Sequence, residues 1–424
     1  MSTFDDLSAL VERVTSQDAP ALYRRHYGID SDSGPLRIAD WNSWQSLPFI
    51  DKAILQNIPI EERVFIEWGD INSIHASSGT SGRPPHFSPW VRLDGYEYRT
   101  RFHTFTRPAL CSMPIHHQHE KFLDEFNVNP KLIVFDPRRA RASVELARLA
   151  GIDSLFIFTG HLTLIGPEVE RLGMGADIRF IELAGESCSR SLYNYAKRVF
   201  PNSVIVSFYG ATEVENPPIT YPCRPLSDAE PLEVHHPRDG YYIELIHPDT
   251  RELLPIQSGT EGEIVITADI TRPSLQAVSP LVRYRTGDMA RVFEEKCSTH
   301  NNWSFTMPGR VAMDFIKIPG GVLRAEEIER VLRSLGENVS DIFELHFKEI
   351  EDAGTVKISI TLYLETTGAT DLENLARQVE RSTRVGAAFT YADGIARGMY
   401  LPITCVPFKP AYRGKRKRMI RNGS

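Results

Sequence analysis

Cysteine is scarce in this chain, and the sequence offers no close pair of cysteines. The 424 residues include five cysteines, an odd number that is scattered along the chain. Secreted proteins that depend on disulfides usually carry an even number at short spacings. The cysteines therefore argue against a disulfide framework, and we expect a protein of the reducing cytoplasm.

Long apolar runs and a basic, apolar leader are also missing. No run approaches the roughly 18 apolar residues that a membrane-spanning helix needs. The sequence starts MSTFDDLSALVERV, with acidic residues where a secretory signal carries basic ones. We therefore expect neither a membrane segment nor a signal peptide.

Positive charge is not in excess. The chain has 48 Lys and Arg against 55 Asp and Glu, a net charge of −7. A mildly acidic protein does not suit an extended nucleic acid or an anionic membrane as partner. Hydrophobic residues make up 42% of the chain and charged residues 24%, as in soluble globular proteins, and the length suggests two or three domains.

Short apolar runs alternate with helical periodicity from about residue 131 onward. The runs 132–135, 154–158, 178–185 and 203–210 are rich in β-branched and aromatic residues, and the segment 142–151 has apolar residues at helical spacing. Alternation of this kind predicts a parallel sheet in an α/β domain.

The pattern changes after Glu233. Apolar and polar residues alternate in steps of two over 241–248, 262–268 and 288–295, which predicts antiparallel strands. A β-rich subdomain therefore follows the parallel sheet in the predicted large N-terminal α/β domain, residues 1–309.

The last part of the chain predicts a small α+β C-terminal lid domain, residues 310–424. Helical periodicity occupies 326–335 and 371–385, and an alternating strand pattern occupies 356–365.

A loop of small polar residues occurs early in the chain, in the sequence SSGTSGRP. Glycines and hydroxyls expose backbone N–H groups and hydroxyl donors together, as a phosphate chain requires. Arg83 adds a cationic fork that suits phosphate oxygens. A flexible Ser/Gly surface loop is the alternative. The loop consists of Ser77, Ser78, Gly79, Thr80, Ser81, Gly82, Arg83 and Pro84.

Two further motifs follow predicted parallel strands. Gly185-Glu186 follows one strand, and Tyr209-Gly210-Ala211-Thr212-Glu213 follows the next. Residues just past the carboxyl ends of parallel strands line the ligand crevice of an open α/β sheet. An aromatic ring there suits stacking on a base, and a carboxylate suits Mg²⁺. An ordinary strand-end turn remains the alternative for each.

Three motifs lie later in the chain. Asp288 ends the sequence YRTGD and suits hydrogen bonds from a ribose diol, although a simple turn between strands is also compatible. Arg310 stands at the predicted domain boundary. Lys415 belongs to the basic sequence GKRKR, which fits either a solvated tail or a mobile lysine that reaches an anionic centre.

Taken in this order, the motifs resemble those of the acyl-adenylate-forming superfamily, which contains acyl-CoA synthetases, adenylation domains and luciferases. The nearest resemblance is to the phenylacetate–CoA ligase branch, from about residue 40 onward. The resemblance implies that a carboxylate attacks the α-phosphate of ATP, giving an acyl-adenylate and pyrophosphate, and that a thiol then displaces AMP. It also implies ATP, Mg²⁺ and CoA as partners, a small carboxylic acid as substrate, and a homodimer.

The resemblance assigns roles to residues of this chain. Lys415, Arg310 and Thr80 would be catalytic, and Glu213 would bind Mg²⁺. Nucleotide binding would fall to Ser77, Ser78, Gly79, Ser81, Gly82, Arg83, Gly185, Glu186, Tyr209, Gly210, Thr212 and Asp288. The C-terminal domain would rotate about the segment after Arg310 and withdraw Lys415 between the two half-reactions.

The chain departs from the family pattern in three places. The terminal motif is more basic than usual, so Lys417 is an alternative to Lys415 as the matching lysine. The phosphate loop has Arg83 where relatives usually carry lysine, which keeps the charge but changes the geometry. The residues 311–314 read Val-Ala-Met-Asp where relatives have an acidic pair, so the hinge residue is not assigned.

Some relatives bind a structural Zn²⁺ in the middle region through cysteine and histidine. Two thiolates and two imidazoles suit a tetrahedral zinc site. The sequence favours the simpler interpretation, buried thiols and histidines on a surface loop. The residues concerned are Cys223, His235, His236, Cys297 and His300, with the second histidine of the pair as the preferred ligand.

Aromatic residues between the phosphate loop and Tyr209 favour an aryl acid, although they also fit an ordinary core. These are Tyr98, Phe102, Phe105 and Phe158. Three alternatives to a CoA ligase stay open: an enzyme that loads a phosphopantetheinyl carrier protein, a catalytically degenerate nucleotide- or acid-binding module, and a nucleic-acid binder that uses the basic tail, which the net charge disfavours.

Overall fold

The structure is a computed structural model. It describes residues 4–71, 73–76, 87–90, 101–112, 132–185, 187–188, 190–211, 213–214, 219–268, 279–310, 315–335, 339–352, 354–366, 371–386, 389–407 and 419–421.

Helices form where apolar residues recur at helical spacing. The first helix buries Leu7, Leu10, Val11 and Val14 on one face. The described helices are α1 Phe4–Val14, α2 Ala21–His26, α3 Trp41–Ser46, α4 Lys52–Asn57, α5 Ala140–Leu149, α6 Leu162–Leu172, α7 Arg190–Val199, α8 Ala325–Ser334, α9 Leu372–Ser382 and α10 Tyr391–Ala396.

The described strands form three larger sheets and three two-stranded ribbons. They are β1 Ile50–Asp51, β2 Ser73–Ala76, β3 Phe87–Trp90, β4 Ala109–Cys111, β5 Leu132–Val134, β6 Ser154–Phe158, β7 Phe180–Ala184, β8 Val204–Phe208, β9 Thr220–Pro222, β10 His235–Pro237, β11 Tyr241–Ile246, β12 Leu253–Leu254, β13 Glu261–Ala268, β14 Tyr284–Glu294, β15 Ser304–Arg310, β16 Phe315–Ile318, β17 Gly321–Arg324, β18 Val339–Asp352, β19 Thr355–Thr366, β20 Arg384–Gly386, β21 Phe389–Thr390, β22 Thr404–Pro407 and β23 Met419–Arg421.

The predicted parallel sheet is confirmed. Its five strands are all parallel and lie in the order β5-β4-β6-β7-β8. Helices α5, α6 and α7 connect successive strands and share an apolar core with the sheet, while Phe105, Phe156 and Phe180 pack in a second cluster. Because both faces are covered, the strands are apolar at nearly every position.

The predicted antiparallel strands are also confirmed. Eight strands form one sheet, in the order β12-β11-β13-β14-β15-β10-β9, and β1 pairs with β14 in parallel. One face of this sheet shares its apolar core with helices from the N-terminal part of the chain, including α1 and α2. The fold class is therefore mixed α/β, with a parallel sheet and a β-rich sheet, as predicted.

The C-terminal part has an apolar core of its own, which draws residues from between Ile316 and Met419. Its four-stranded sheet has the order β22-β19-β18-β23, and β18 and β19 form a long antiparallel hairpin. The predicted helix 371–385 ends earlier, at Ser382, and 384–386 form β20 instead. Thr383 is extended and Val385 is buried, so these β-branched residues continue as a strand.

The tip of this hairpin contacts the layer of helices beside the parallel sheet. Val356 belongs to the apolar core of that sheet. The Arg198 guanidinium on α7 donates to the Gly354 carbonyl in the turn and lies 2.6 Å from the Glu170 carboxylate on α6. The C-terminal part therefore packs against α6 and α7 in this structure.

The buried Arg283 side chain connects the N-terminal part to the antiparallel sheet. Arg283 is 2% exposed and pairs with the Glu244 carboxylate at 3.2 Å. It also donates to the carbonyls of Trp44, Gln45 and Leu47. A guanidinium has donors enough to satisfy this many acceptors, so the buried charge is compensated.

Among the described residues, no helix has both the length and the apolarity needed to cross a bilayer.

Candidate functional site

Two sequence motifs meet at the carboxyl edge of the parallel sheet. Gly185 directly follows β7, with φ of 82°, a conformation that favours glycine. Tyr209 and Gly210 directly follow the neighbouring strand β8. Adjacent parallel strands end at one edge, so the structure brings these two predicted segments side by side, as expected for a ligand crevice.

Asp288 reaches the same place from the antiparallel sheet. The Tyr209 hydroxyl donates a hydrogen bond of 2.8 Å to the Asp288 carboxylate, across 79 positions of sequence. Asp288 is buried, and a buried carboxylate needs such donors. The structure therefore joins the residue predicted to stack on a base to the residue predicted to bind ribose.

Within β14, the segment before Asp288 is held by a second carboxylate. Glu263, which is 2% exposed, accepts from the Gly287 N–H at 3.2 Å and from the Arg285 guanidinium at distances down to 2.5 Å. The Thr286 hydroxyl accepts from the Asp288 N–H at 3.0 Å. These bonds fix the direction in which the Asp288 side chain leaves β14.

A lysine that the sequence analysis missed lies beside Glu213. The Lys52 ammonium is 2.8 Å from the Glu213 carboxylate, the predicted Mg²⁺ ligand. Lys52 begins α4, whose N-terminus is capped by the Asp51 carboxylate. Asp51 pairs with Arg285 across β1 and β14. Lys52, the next residue, therefore lies close to the part of β14 that contains Asp288. No motif surrounds Lys52, and a single lysine on a short helix gives no signal in the sequence.

Arg310 is the last residue of β15, and its backbone pairs with that of Asp288. The two predicted residues therefore lie opposite each other on neighbouring strands. The remaining predicted site residues fall outside the described residues, and so does the segment 311–314. They are Ser77, Ser78, Gly79, Thr80, Ser81, Gly82, Arg83, Glu186, Thr212 and Lys415.

The aromatic residues predicted for the acid pocket divide. Phe105 is 6% exposed and packs on Phe156 and Phe180, so it belongs to the core beside the parallel sheet. Phe158 ends β6 at the carboxyl edge and lies 5.7 Å from the ring of His161. Tyr98 lies outside the described residues.

His161 is a buried histidine at this same edge. It follows β6, lies 5.7 Å from the Phe135 ring, and hydrogen-bonds to the backbone of Ser112. Burial lowers the pKa of His161 to about 4, so the ring is neutral at neutral pH.

A second cluster unites two cysteines and two histidines. Ligand atoms of Cys223, His236, Cys297 and His300 all lie within 4.8 Å of one another. We call this set the Cys–His cluster. The interpretation of His236 as a surface loop residue is wrong, since it is 1% exposed and lies on strand β10.

The distances in this cluster fit a tetrahedral ion. The two sulfurs are 3.8 Å apart, and Cys297 Sγ lies 3.8 Å from His300 Nδ1. Zinc–sulfur bonds of about 2.3 Å at a tetrahedral angle place two sulfurs about 3.8 Å apart.

The His236 ring is oriented for such a role. Its Nδ1 lies 2.8 Å from the Trp303 carbonyl, and its buried Nε2 has no hydrogen-bond partner among the described residues. Metal-binding histidines commonly donate their second ring nitrogen to a carbonyl in this manner. The neighbouring His235 is directed elsewhere, towards Thr220 and Glu233.

Burial sets the protonation of the cluster. It raises the pKa of the Cys223 thiol to about 11, and the adjacent Cys297 adds to the shift. It lowers the pKa of His236 and of His300. Without a cation the thiol is neutral, so a metal must displace a proton to bind.

The chain was compared with protein families, with curated proteins and with solved structures. No family model matches the chain. The chain is 22% identical over 368 residues to a phenylacetate-coenzyme A ligase of Pseudomonas putida. This alignment covers 82% of the chain and 79% of that protein. A protein of the same name from Aromatoleum evansii is 23% identical over 237 residues, or 52% of this chain and 50% of that protein.

Solved structures show the same fold. A 2-hydroxyisobutyryl-CoA ligase in the postadenylation state, in complex with 2-HIB-AMP, aligns with a TM-score of 0.58 and 14% identity. The alignment covers 99% of this chain and 88% of that one. An open conformation of that ligase, in complex with 2-HIB-AMP and CoA, aligns with a TM-score of 0.54 and 13% identity, over 99% of this chain and 90% of that one.

Proposed function

We propose that this chain, a member of the acyl-adenylate-forming superfamily, is an ATP-dependent ligase that joins a carboxylic acid to CoA through an acyl-adenylate. The observation that carries the proposal is the hydrogen bond between Tyr209 and Asp288 at the carboxyl edge of the parallel sheet. It places an aromatic face beside a carboxylate that accepts hydroxyl donors, which suits an adenosine.

The residues divide the work of the first half-reaction. Tyr209 and the Gly185 loop would hold adenine, and Asp288 would accept from the ribose hydroxyls. The carboxylate oxygen of the substrate attacks the α-phosphorus, the bond to the bridging oxygen breaks, and pyrophosphate leaves with its electron pair. Two anions meet in this reaction, so cations must be held in place around the phosphates, and Lys415, Arg310 and the 77–84 loop would supply them.

Magnesium fits the residues that are present. Glu213 offers a buried carboxylate beside the nucleotide residues, and hard oxygen ligands are those that Mg²⁺ prefers. A bound Mg²⁺ supplies neutralisation of the phosphate oxygens. Lys52 already offsets the charge of Glu213 in the structure.

The second half-reaction would follow a movement of the lid. Residues 310–424 would turn about the segment after Arg310, which would remove Lys415 and admit the thiol. The thiolate sulfur attacks the acyl carbon, and AMP leaves as the thioester forms. We keep the cytoplasm as the compartment, and a homodimer as the assembly, as predictions.

The test is pyrophosphate release with ATP, Mg²⁺ and a panel of aryl and short-chain acids, with and without CoA. We expect release that depends on one acid and is stimulated by CoA. Stimulation by a phosphopantetheinylated carrier protein instead would identify a loading enzyme. No release with any acid, together with measurable ATP binding, would favour a degenerate binding module, and no ATP binding would overturn the proposal.

We also infer that the Cys–His cluster holds a structural Zn²⁺. Two thiolates and two neutral imidazoles neutralise the ion and complete a closed tetrahedral site, which leaves no position for substrate. We expect about one zinc per chain by elemental analysis of protein purified without chelators. A metal-free protein of unchanged stability would contradict this inference.

A further inference from the structure

A buried chain of polar groups connects the two loops of the proposed adenine site. It begins at Tyr209, whose backbone N–H donates to the Thr220 hydroxyl at 3.2 Å. The same hydroxyl lies 3.3 Å from His235 Nδ1. His235 Nε2 lies 3.5 Å from one oxygen of Glu233, and the other oxygen accepts from the Cys188 N–H.

Thr220 and His235 lie on strands β9 and β10, and Glu233 lies in the segment before β10. Thr220 is fully buried, His235 is 2% exposed and Glu233 is 8% exposed. Each is a polar group whose burial has a cost that its hydrogen bonds must offset. The two ends of the chain, at Cys188 and Tyr209, follow neighbouring strands β7 and β8 at the edge where the ligand crevice lies.

One arrangement of protons satisfies every group. Tyr209 N–H donates to the Thr220 oxygen, and the Thr220 hydroxyl donates to His235 Nδ1. His235 then carries its proton on Nε2, where the Glu233 carboxylate lies, and the second carboxylate oxygen receives the Cys188 N–H. The backbone N–H at each end can only donate, which is compatible with this direction of donors.

We propose that Thr220, His235 and Glu233 are positioning residues that set the separation between the loop after β7 and Tyr209, and thereby the affinity for the adenine of ATP. This inference rests on the proposed function. The three residues do not touch the nucleotide themselves. They act by holding a backbone N–H at each side of the crevice, while the hydrogen bond of 2.9 Å from the Ile219 N–H holds the Tyr209 carbonyl.

The experiment compares two buried threonines that accept from a backbone N–H. Thr220→Val removes the hydroxyl beside Tyr209. Thr15→Val removes the fully buried hydroxyl that accepts from the Leu36 N–H at 2.9 Å, in the N-terminal part of the chain. Both substitutions leave a backbone N–H unpaired, so both are expected to lower the unfolding temperature.

The readout is the KM for ATP against kcat, in pyrophosphate release with the activating acid. We expect Thr220→Val to raise the KM for ATP about fivefold to tenfold, with kcat within about twofold. Thr15→Val should leave both constants unchanged, and Thr220→Ser should restore the KM. Glu233→Gln, which keeps the side-chain volume, should raise the KM in the same direction.

A KM for ATP that is equal in Thr220→Val and Thr15→Val would overturn the positioning role. So would a fall in kcat alone, which would indicate a general loss of folded enzyme. Failure of the proposed function is distinguishable, because the unaltered chain would then neither bind ATP nor release pyrophosphate.

Discussion

Two polar clusters border the same antiparallel sheet and are built in opposite ways. In the Asp288 site, which we define as Lys52, Tyr209, Glu213 and Asp288, charged groups face partners supplied by the chain. In the Cys–His cluster the four ligand atoms face one another, and the Nε2 of His236 has no hydrogen-bond partner in the described part of the chain.

The two arrangements indicate which cluster binds and releases a substrate. A site whose charges are already balanced can release those partners to an incoming nucleotide and recover them afterwards. In the Cys–His cluster the four metal-ligand atoms point at one another, and only a bound cation would satisfy them. A closed set of four ligands leaves no coordination position for a substrate. We therefore expect changes in the first cluster to alter activity and changes in the second to alter stability.

The largest effect should come from Lys415, the proposed lid lysine, which lies outside the described residues. We expect Lys415→Ala to lower adenylate formation about 100-fold to 1,000-fold, because a cation that stabilises the developing charge is lost. Thioester formation from supplied acyl-adenylate should change little, and so should the unfolding temperature. Half-reactions measured separately by pyrophosphate release and CoA-thioester formation check this.

Lys417→Ala is the matched control, since it removes the same charge two residues away. An equal loss in both variants, or an equal loss in both half-reactions, would contradict a specific lid lysine.

The opposite result is expected for the Cys–His cluster. Cys297→Ser should lower the free energy of unfolding by about 3 kcal/mol, because a zinc ligand is lost from a buried site. Zinc content should fall while the KM for ATP stays within about twofold. Calorimetry, elemental analysis and steady-state kinetics on the same preparation check this.

Cys405→Ser, at a half-buried cysteine outside the cluster, provides the control. A comparable loss of stability in that variant, with zinc unchanged in both, would remove the basis for a structural metal.

Substitutions within the Asp288 site test the roles assigned to Asp288 and Tyr209. Asp288→Asn should raise the Kd for ATP about tenfold, because an amide is a weaker acceptor for ribose hydroxyls than a carboxylate. Tyr209→Phe keeps the ring and removes only the bond to Asp288, so its effect should be smaller, about threefold. Isothermal titration with ATP checks both values, and a Tyr209→Phe effect larger than that of Asp288→Asn would reverse the assigned roles.

The smallest expected effect concerns His161, at the carboxyl edge of the parallel sheet, and the pH dependence of stability. The pKa of His161 is about 4 in the folded chain and about 6.5 when unfolded. The unfolded state therefore binds more protons between these values, and stability falls as the pH falls from about 6.5 towards 4. Between pH 7 and 5.5 the loss due to His161 should be about 1 kcal/mol.

His161→Leu should remove that part of the pH dependence, as measured by denaturant unfolding at the two pH values. Equal slopes for the unaltered chain and His161→Leu would show that the ring does not stay neutral on folding.

The sequence predicted the parts of the fold that carry a repeating pattern. The apolar runs of β6, β7 and β8 are visible because both faces of that sheet are buried, and the motifs after them follow from the strand ends. Asp288 could be found because the sequence YRTGD around it has a characteristic composition.

Other features depend on contacts that a pattern does not contain. Lys52 lies 161 positions from Glu213, and nothing near it in sequence marks a site. The preference for His236 over His235 had no basis in the sequence pattern, because neighbouring residues of a strand point to opposite faces and the sequence does not say which face meets the cysteines. Strand β18 was missed, although Phe343, Leu345 and Phe347 alternate with polar residues as a half-buried strand requires.

The attachment of the N-terminal part has a consequence for synthesis. Arg283 holds the carbonyls of residues 44–47, and the Tyr23 hydroxyl bonds to Pro280 and Val282, across separations of 236 to 259 positions. A ribosome adds about 5 to 20 residues per second, so roughly 10 to 50 s pass before the first 60 residues meet these partners. During that interval the apolar faces of α1 and α2 lack the sheet that later covers them. The nascent chain therefore presents a binding surface for chaperones before it can present one for ATP.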